Sequence, residues 1–270
     1  MYCGNGPLLR VDVWGEEQII VTGGAYDASS NAAYQFEFID SALLYIEKNN
    51  MDFTLLVADV GWTGQQRQAI IDATIKRSHI KLVWFKNIAE LTSYINTGTI
   101  SGYENKRSRD PINVFIVFSH ATTDSNGNYA IMFGYHSNHS KEFSFYTQDI
   151  NAINSQAFTT YGFSAFYSCR TGNDFKNGNF AQEWANVTGK ETSAFFSTLN
   201  VFGIGGRTQY SDILGNRLER YFYEWNIPLF DLTDYAAWRR RRGDVTLVPG
   251  EAWNLPKGGS FSKMKRFVPQ

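Results

Sequence analysis

Five short apolar runs, each bounded by polar or glycine-containing breaks, constrain this chain more than any other feature. They are Gln18–Thr22, Phe53–Ala58, Ile80–Phe85, Ile112–Phe118 and Phe163–Tyr167, all dominated by Ile, Val, Leu, Ala and aromatic residues. Near-continuous apolar runs of this length are the mark of strands covered on both faces. Helical periodicity fills the gaps between them. From Phe36 to Lys48, residues Phe36, Phe38, Ile39, Ala42, Leu43 and Ile46 form one wide stripe. Thr63 is placed to cap a helix from Gln65 to Lys76 with Ala69, Ile70, Ala73 and Ile75 facing inward. Ile88 to Ile95 reads as a third helix, ending at Asn96-Thr97-Gly98. The alternation predicts an α/β fold, a mainly parallel sheet flanked by helices on both faces and joined by right-handed crossovers.

The second half continues less regularly. A shorter strand is expected in Tyr129–Tyr135, Asn179 caps a helix Phe180–Val187 that Gly189 closes, and Thr192–Ser197 reads as strand. Thr99–Asp110, with Lys106-Arg107-Ser108-Arg109, reads as an exposed loop. After Tyr210 the pattern changes to a helix-like Leu214–Trp225, the basic run Arg239–Arg242 and a Gly/Pro-containing end. We therefore divide the chain into an α/β domain, residues 1–210, and a C-terminal extension, residues 211–270, packed on it.

Composition narrows the functional classes. The 270 residues are 43% apolar and 16% aromatic, which excludes a disordered chain. A net charge of −1 supplies no global attraction to nucleic acid or to an acidic membrane. No apolar stretch reaches the ~18 residues of a spanning helix, and no signal-like apolar core follows the N-terminal residues. Two cysteines, Cys3 and Cys169, make no disulfide framework. The expectation is a soluble cytoplasmic protein, or an effector delivered without its own signal.

In open parallel sheets, ligands gather at the carboxyl ends of the strands. Two of the apolar runs end in chemistry: Ile112–Phe118 is followed by Ser119-His120, and Phe163–Tyr167 by Ser168-Cys169. If these strands are parallel neighbours, both side chains stand at one edge. A thiol of ordinary pKa is only a few per cent thiolate at neutral pH, so a nearby imidazole matters. Arg170-Thr171-Gly172-Asn173 is a sharp polar turn whose N–H groups, with the N–H after His120, are suited to stabilising an oxyanion.

Apolar strand–Ser-His, followed 49 residues later by apolar strand–Ser-Cys and a glycine-containing turn, resembles the motifs of caspase/gingipain-like (clan CD) cysteine peptidases. Caspases likewise place their His about 50 residues before the Cys. Tyr167-Ser-Cys-Arg-Thr-Gly-Asn173 followed by Phe180–Gly189 looks most like the caspase-like domains of bacterial polymorphic toxins. The resemblance is specific over about residues 112–196, and extends to 15–98 only as an α/β pattern. It implies a three-layer caspase-like sandwich with a C-terminal extension and a cysteine endopeptidase activity that uses no cofactor or metal. His120 would be general base and then acid, and Cys169 the acylated nucleophile. The N–H groups of Ala121 and Cys169 would form the oxyanion hole. Ala121 stands where the family usually has Gly, which would be costly in a turn with positive φ. Substrate-binding candidates are Asp27, which would select Arg or Lys, and Arg170 and Arg207, which would select Asp. The implied partners are a peptide or protein substrate and a regulatory protein.

Other readings of the same residues stay open. The dyad could serve a toxin deamidase or another acyl transfer, or the chain could be a non-catalytic module in which Cys169 is a buried small residue and His120 a structural one. His136-Ser-Asn-His139 lacks the further ligands zinc needs. Gly23-Gly24 and Gly203-Ile-Gly205-Gly206 lack a phosphate-loop fingerprint and read as tight turns. His79 reads as a solvated helix end and Cys3 as incidental. Lys106–Arg109 and Arg239–Arg242 read as solvated charge, or as cleavage sites if basic residues are preferred.

Overall fold

A computed structural model describes residues 16–24, 36–49, 51–134, 140–195, 198–205, 218–225, 259–261 and 265–270. The strands in chain order are β1 (Glu17–Thr22), β2 (Phe53–Ala58), β3 (Ile80–Phe85), β4 (Ile112–Phe118), β5 (His120–Thr123), β6 (Tyr129–Met132), β7 (Ser144–Tyr146), β8 (Phe158–Tyr167), β9 (Asp174–Phe175) and β10 (Gly178–Asn179). They continue with β11 (Glu191–Ala194), β12 (Thr198–Gly205), β13 (Leu218–Trp225), β14 (Gly259–Phe261) and β15 (Lys265–Phe267). The helices are α1 (Glu37–Asn49), α2 (Gly64–Ile75), α3 (Ile88–Thr97) and α4 (Phe180–Thr188). This is an α/β fold built on a mainly parallel seven-stranded sheet of order β15–β11–β8–β4–β1–β2–β3. Within this sheet only the β11–β15 pairing is antiparallel.

The pleat divides the sheet's side chains between two clusters. Ile19, Val21, Leu56, Phe85, Phe115, Val117 and Phe166 join Leu91 and Tyr94 of α3 and Phe180 and Trp184 of α4. Ile20, Leu55, Val57, Ile116 and Phe118 join Ile39, Leu43 and Ile46 of α1 and Ile70 and Ala73 of α2. Trp184 anchors the first cluster: it is fully buried, stacks on Phe115 at 4.8 Å, and donates its indole N–H to Ser164 Oγ at 2.8 Å. Local signals act as read: Asn179 accepts from Gln182 N–H at the start of α4, Gly189 closes it in the left-handed region, and Thr63 caps α2 in a reciprocal box with Gln66.

Several expectations are corrected. Leu218–Trp225 is strand β13, paired antiparallel to β12; its aromatic residues, Tyr221, Phe222, Tyr223 and Trp225, favour an extended strand. Gly203 and Gly205 therefore lie within a strand rather than a turn. Ile75 is 74% exposed and Thr74 takes the inward position at the last turn of α2, with its hydroxyl bonded to the Ile70 and Ile71 carbonyls. His79 is half-buried, and its carbonyl accepts the Phe53 N–H that opens β2. Gly23 is no turn: an added Cβ would stand 2.0 Å from the Phe133 carbonyl oxygen, and Gly24 forms a bridge with Gly134. The glycines let the end of β1 touch the segment after β6.

The largest correction is Arg107. It is only 3% exposed, with its guanidinium bonded to Glu17 Oε2 and to the carbonyls of Tyr94, Ile95 and Asp110. Glu17 Oε1 also accepts from Thr54 and Tyr94 hydroxyls, with Lys81 Nζ at 3.6 Å. Burial pushes the Glu17 carboxyl up, but the Arg107 charge and these hydrogen bonds outweigh it, so its pKa lies below the ordinary value. The bonds of Arg107, not the composition of its loop, bury it. A chain break there would disrupt this cluster.

Candidate active site

The register of two neighbouring strands sets the geometry. β4 and β8 are parallel and adjacent, with Val114 opposite Phe163, Ile116 opposite Ala165 and Phe118 opposite Tyr167. Phe118 and Tyr167 stack at 4.6 Å. His120 and Cys169 each follow that last pair by two residues, so the register brings them to the same edge above the stacked rings. The His120 ring meets Phe38 of α1 edge-on at 4.9 Å, which sets it on the face carrying the second cluster. Cys169 is half-buried and forms no disulfide. Burial, with a smaller effect of Tyr45, raises Tyr167 to about 12, so the ring beneath the site is a neutral phenol.

His120 opens β5, which pairs with β6, and β6 pairs with β7. Phe133 N–H donates to the Phe143 carbonyl, so odd-numbered residues of β6 turn their backbone groups towards β7 and even-numbered ones towards β5. His120 opposite Met132 is thus a hydrogen-bonded pair, and the next N–H, that of Ala121, points away from β6. The Ser119 hydroxyl, which donates to the Met132 carbonyl at 2.8 Å, fits the same phase. Ala121 lies in an extended strand and is not among the positive-φ residues, so replacing Gly there carries no conformational penalty.

The segment after Cys169 is tightly held. The Tyr129 hydroxyl donates to the Cys169 carbonyl at 2.6 Å, and the Thr171 hydroxyl donates to the Ser168 carbonyl at 2.9 Å. The two hydroxyl oxygens stand 2.9 Å apart. Burial, and to a smaller extent charge at Cys169, push the Tyr129 phenol well above its usual pKa, so it remains a donor. Gly172 N–H donates to the Phe195 carbonyl, and the Asn177 amide brackets the Tyr129 backbone. Two features carry a local cost. Arg170 has φ 56°, alone among the described non-glycine residues, at a cost of about 1–2 kcal/mol. The Ser168 hydroxyl is buried without a hydrogen-bond partner, a penalty of about 1–3 kcal/mol. Such local costs concentrate at functional sites.

The structure thus brings His120, Ala121, Cys169 and Arg170 to one edge. Asp27, Arg207, His136, His139, Arg239–Arg242 and Cys3 lie outside the described residues. The side chains of Tyr129, Thr171 and Phe38 were given no site role from the sequence, which offered Phe38 only as a core residue and Thr171 only as part of a turn. The Asn126-Gly127 pair, a hairpin signal, was available to place Tyr129 opposite Thr123, but nothing local ties it to Cys169. Among the described residues, no group of three or more His, Cys, Asp or Glu could hold a metal ion, and no helix is long and apolar enough to cross a membrane. No protein-family model matches the chain, and no curated protein or solved structure matches it either.

Proposed function

We propose that the chain is a cysteine endopeptidase of caspase-like, three-layer architecture, with His120 and Cys169 as its dyad. The observation that carries this reading is the β4–β8 register, which sets the two residues side by side at the carboxyl edge of a parallel sheet. The order of the motifs and the resemblance of residues 112–196 to clan CD peptidases add to it. In the proposed cycle His120 takes the thiol proton as Cys169 Sγ bonds to the scissile carbonyl carbon. The oxyanion is met by the N–H groups of Ala121 and Cys169. The C–N bond breaks as His120 returns the proton to the leaving amine. A water deprotonated by His120 then hydrolyses the thioester and regenerates the thiol.

Active-site labelling tests the reading. The protein is incubated with peptidyl acyloxymethyl ketones bearing Arg, Lys, Asp or Leu at P1, and the adduct is located by mass. An adduct on Cys169 that disappears in His120→Ala supports the dyad, and the preferred P1 gives the charge of the pocket. Iodoacetamide reaching Cys169 while no ketone does so would overturn the peptidase. A +1 Da change in a Gln- or Asn-containing protein substrate, without chain cleavage, would assign the pair to deamidation instead.

A further inference from the structure

A trans peptide unit carries its C=O and N–H in opposite directions, so holding one end aims the other. The Ser168–Cys169 unit has its carbonyl held by Thr171, and the next unit, Cys169–Arg170, has its carbonyl held by Tyr129. Both carbonyls turn towards the buried hydroxyl pair, where Thr171 is fully buried and Tyr129 packs against Phe175 at 4.6 Å. The N–H groups of Cys169 and Arg170 must then point away from that pair. The left-handed Arg170 follows directly. Successive N–H groups leading into a left-handed residue form an anion-binding concavity. The Ala121 N–H, by the phase of the β5–β6 ladder, also points away from β6, the strand that carries Tyr129.

We infer that Tyr129 and Thr171 are positioning residues: their buried hydroxyls fix the peptide planes that aim the Cys169 and Arg170 N–H groups at the oxyanion of the acyl-transfer transition state. This rests on the peptidase reading above. Neither hydroxyl touches substrate. Each acts through a carbonyl on the far side of the nucleophile's backbone.

Loss of either hydroxyl slows the step in which negative charge develops on oxygen and leaves thiol reactivity alone. With whichever fluorogenic peptide the wild type cleaves best, Tyr129→Phe is expected to lower kcat about tenfold or more, against the ~10²–10³ lost when an oxyanion donor is removed outright. KM should change by less than about twofold, the signature of an interaction made only in the transition state. Alkylation of Cys169 by iodoacetamide, which develops no oxyanion, should proceed at the wild-type rate. Thr171→Val should behave like Tyr129→Phe, and Thr171→Ser, which keeps the hydroxyl, should restore kcat. This pair carries the test if Tyr129→Phe fails to fold. Wild-type kcat in both hydroxyl-deleted variants, or equal losses in kcat and alkylation rate, would overturn the positioning role alone. A wild type without Cys169-dependent cleavage would overturn the peptidase reading and this one with it.

Discussion

The two edges of the main sheet present opposite uses of polar groups. At the amino edge, Glu17 and Arg107 are buried, each is bonded several times over, and hydroxyls of Thr54 and Tyr94 complete the cluster. At the carboxyl edge, a buried hydroxyl at Ser168 has no partner, Arg170 sits in a left-handed conformation, and two peptide planes are fixed from behind by Tyr129 and Thr171. The amino edge spends its polar groups on one another, so breaking it should cost stability. The carboxyl edge holds groups in costly positions aimed outward, so breaking it should cost activity.

The sharpest way to break this contrast is Cys169→Ala or His120→Ala. Each should lower peptide turnover on the order of 10⁴-fold, with the urea unfolding midpoint nearly unchanged. A large loss of stability in either would assign the carboxyl edge to structure. Arg107→Ala makes the reciprocal test. It leaves Glu17 buried without its main countercharge and should destabilise by about 3–5 kcal/mol, with turnover per folded molecule preserved. Gly23→Ala probes the link between the edges, since the new Cβ would meet the Phe133 carbonyl. Denaturant unfolding should show a loss of about 1–3 kcal/mol from overpacking, together with altered kcat, because β6 carries Tyr129.

The pH dependence sharpens the comparison further. The folded-state pKa of Glu17 is depressed, so its contribution to stability is present above its unfolded value, near 4.5, and is lost as pH falls through the folded value. Urea midpoints measured from pH 7 to pH 3 should fall more steeply in the wild type than in Glu17→Gln. The smallest effect belongs to Arg170→Gly, which relieves the left-handed strain. It should raise stability by about 1 kcal/mol in thermal melts, and any change in P1 preference reports on the guanidinium rather than the backbone.

Legibility in the sequence followed the range of the interactions. The strands β1 to β4, the helices and their caps were readable because periodicity, Asn179, Gly189 and Thr63 act within a few residues. The ends of β8 were less so. Thr159-Thr160-Tyr161-Gly162 in its first half is polar or glycine, and lies in an irregular stretch of the β4–β8 ladder between Phe158, opposite Ile112, and Phe163, opposite Val114; the regular pairing with β4 and β11 begins at Phe163. Burial of Arg107 was invisible, since the same Lys-Arg-Ser-Arg run in water would be solvated, and the countercharge that compensates it, Glu17, lies 90 residues earlier, with the Tyr94 and Ile95 carbonyls also brought to it by the fold.

The sequence by itself determined that the chain builds a parallel α/β sheet, and that a His and a Cys each follow an apolar strand. Those are consequences of local pattern: what each segment must bury, and where it must turn. The tertiary structure decided that β4 and β8 are neighbours in register. It decided that Ala121 needs no glycine, and that the Cys169 carbonyl is held by a tyrosine 40 residues away. Strand order, register and the partner of a buried hydroxyl depend on which distant segments meet. A one-residue slip between β4 and β8 would keep every local preference and move His120 and Cys169 out of register.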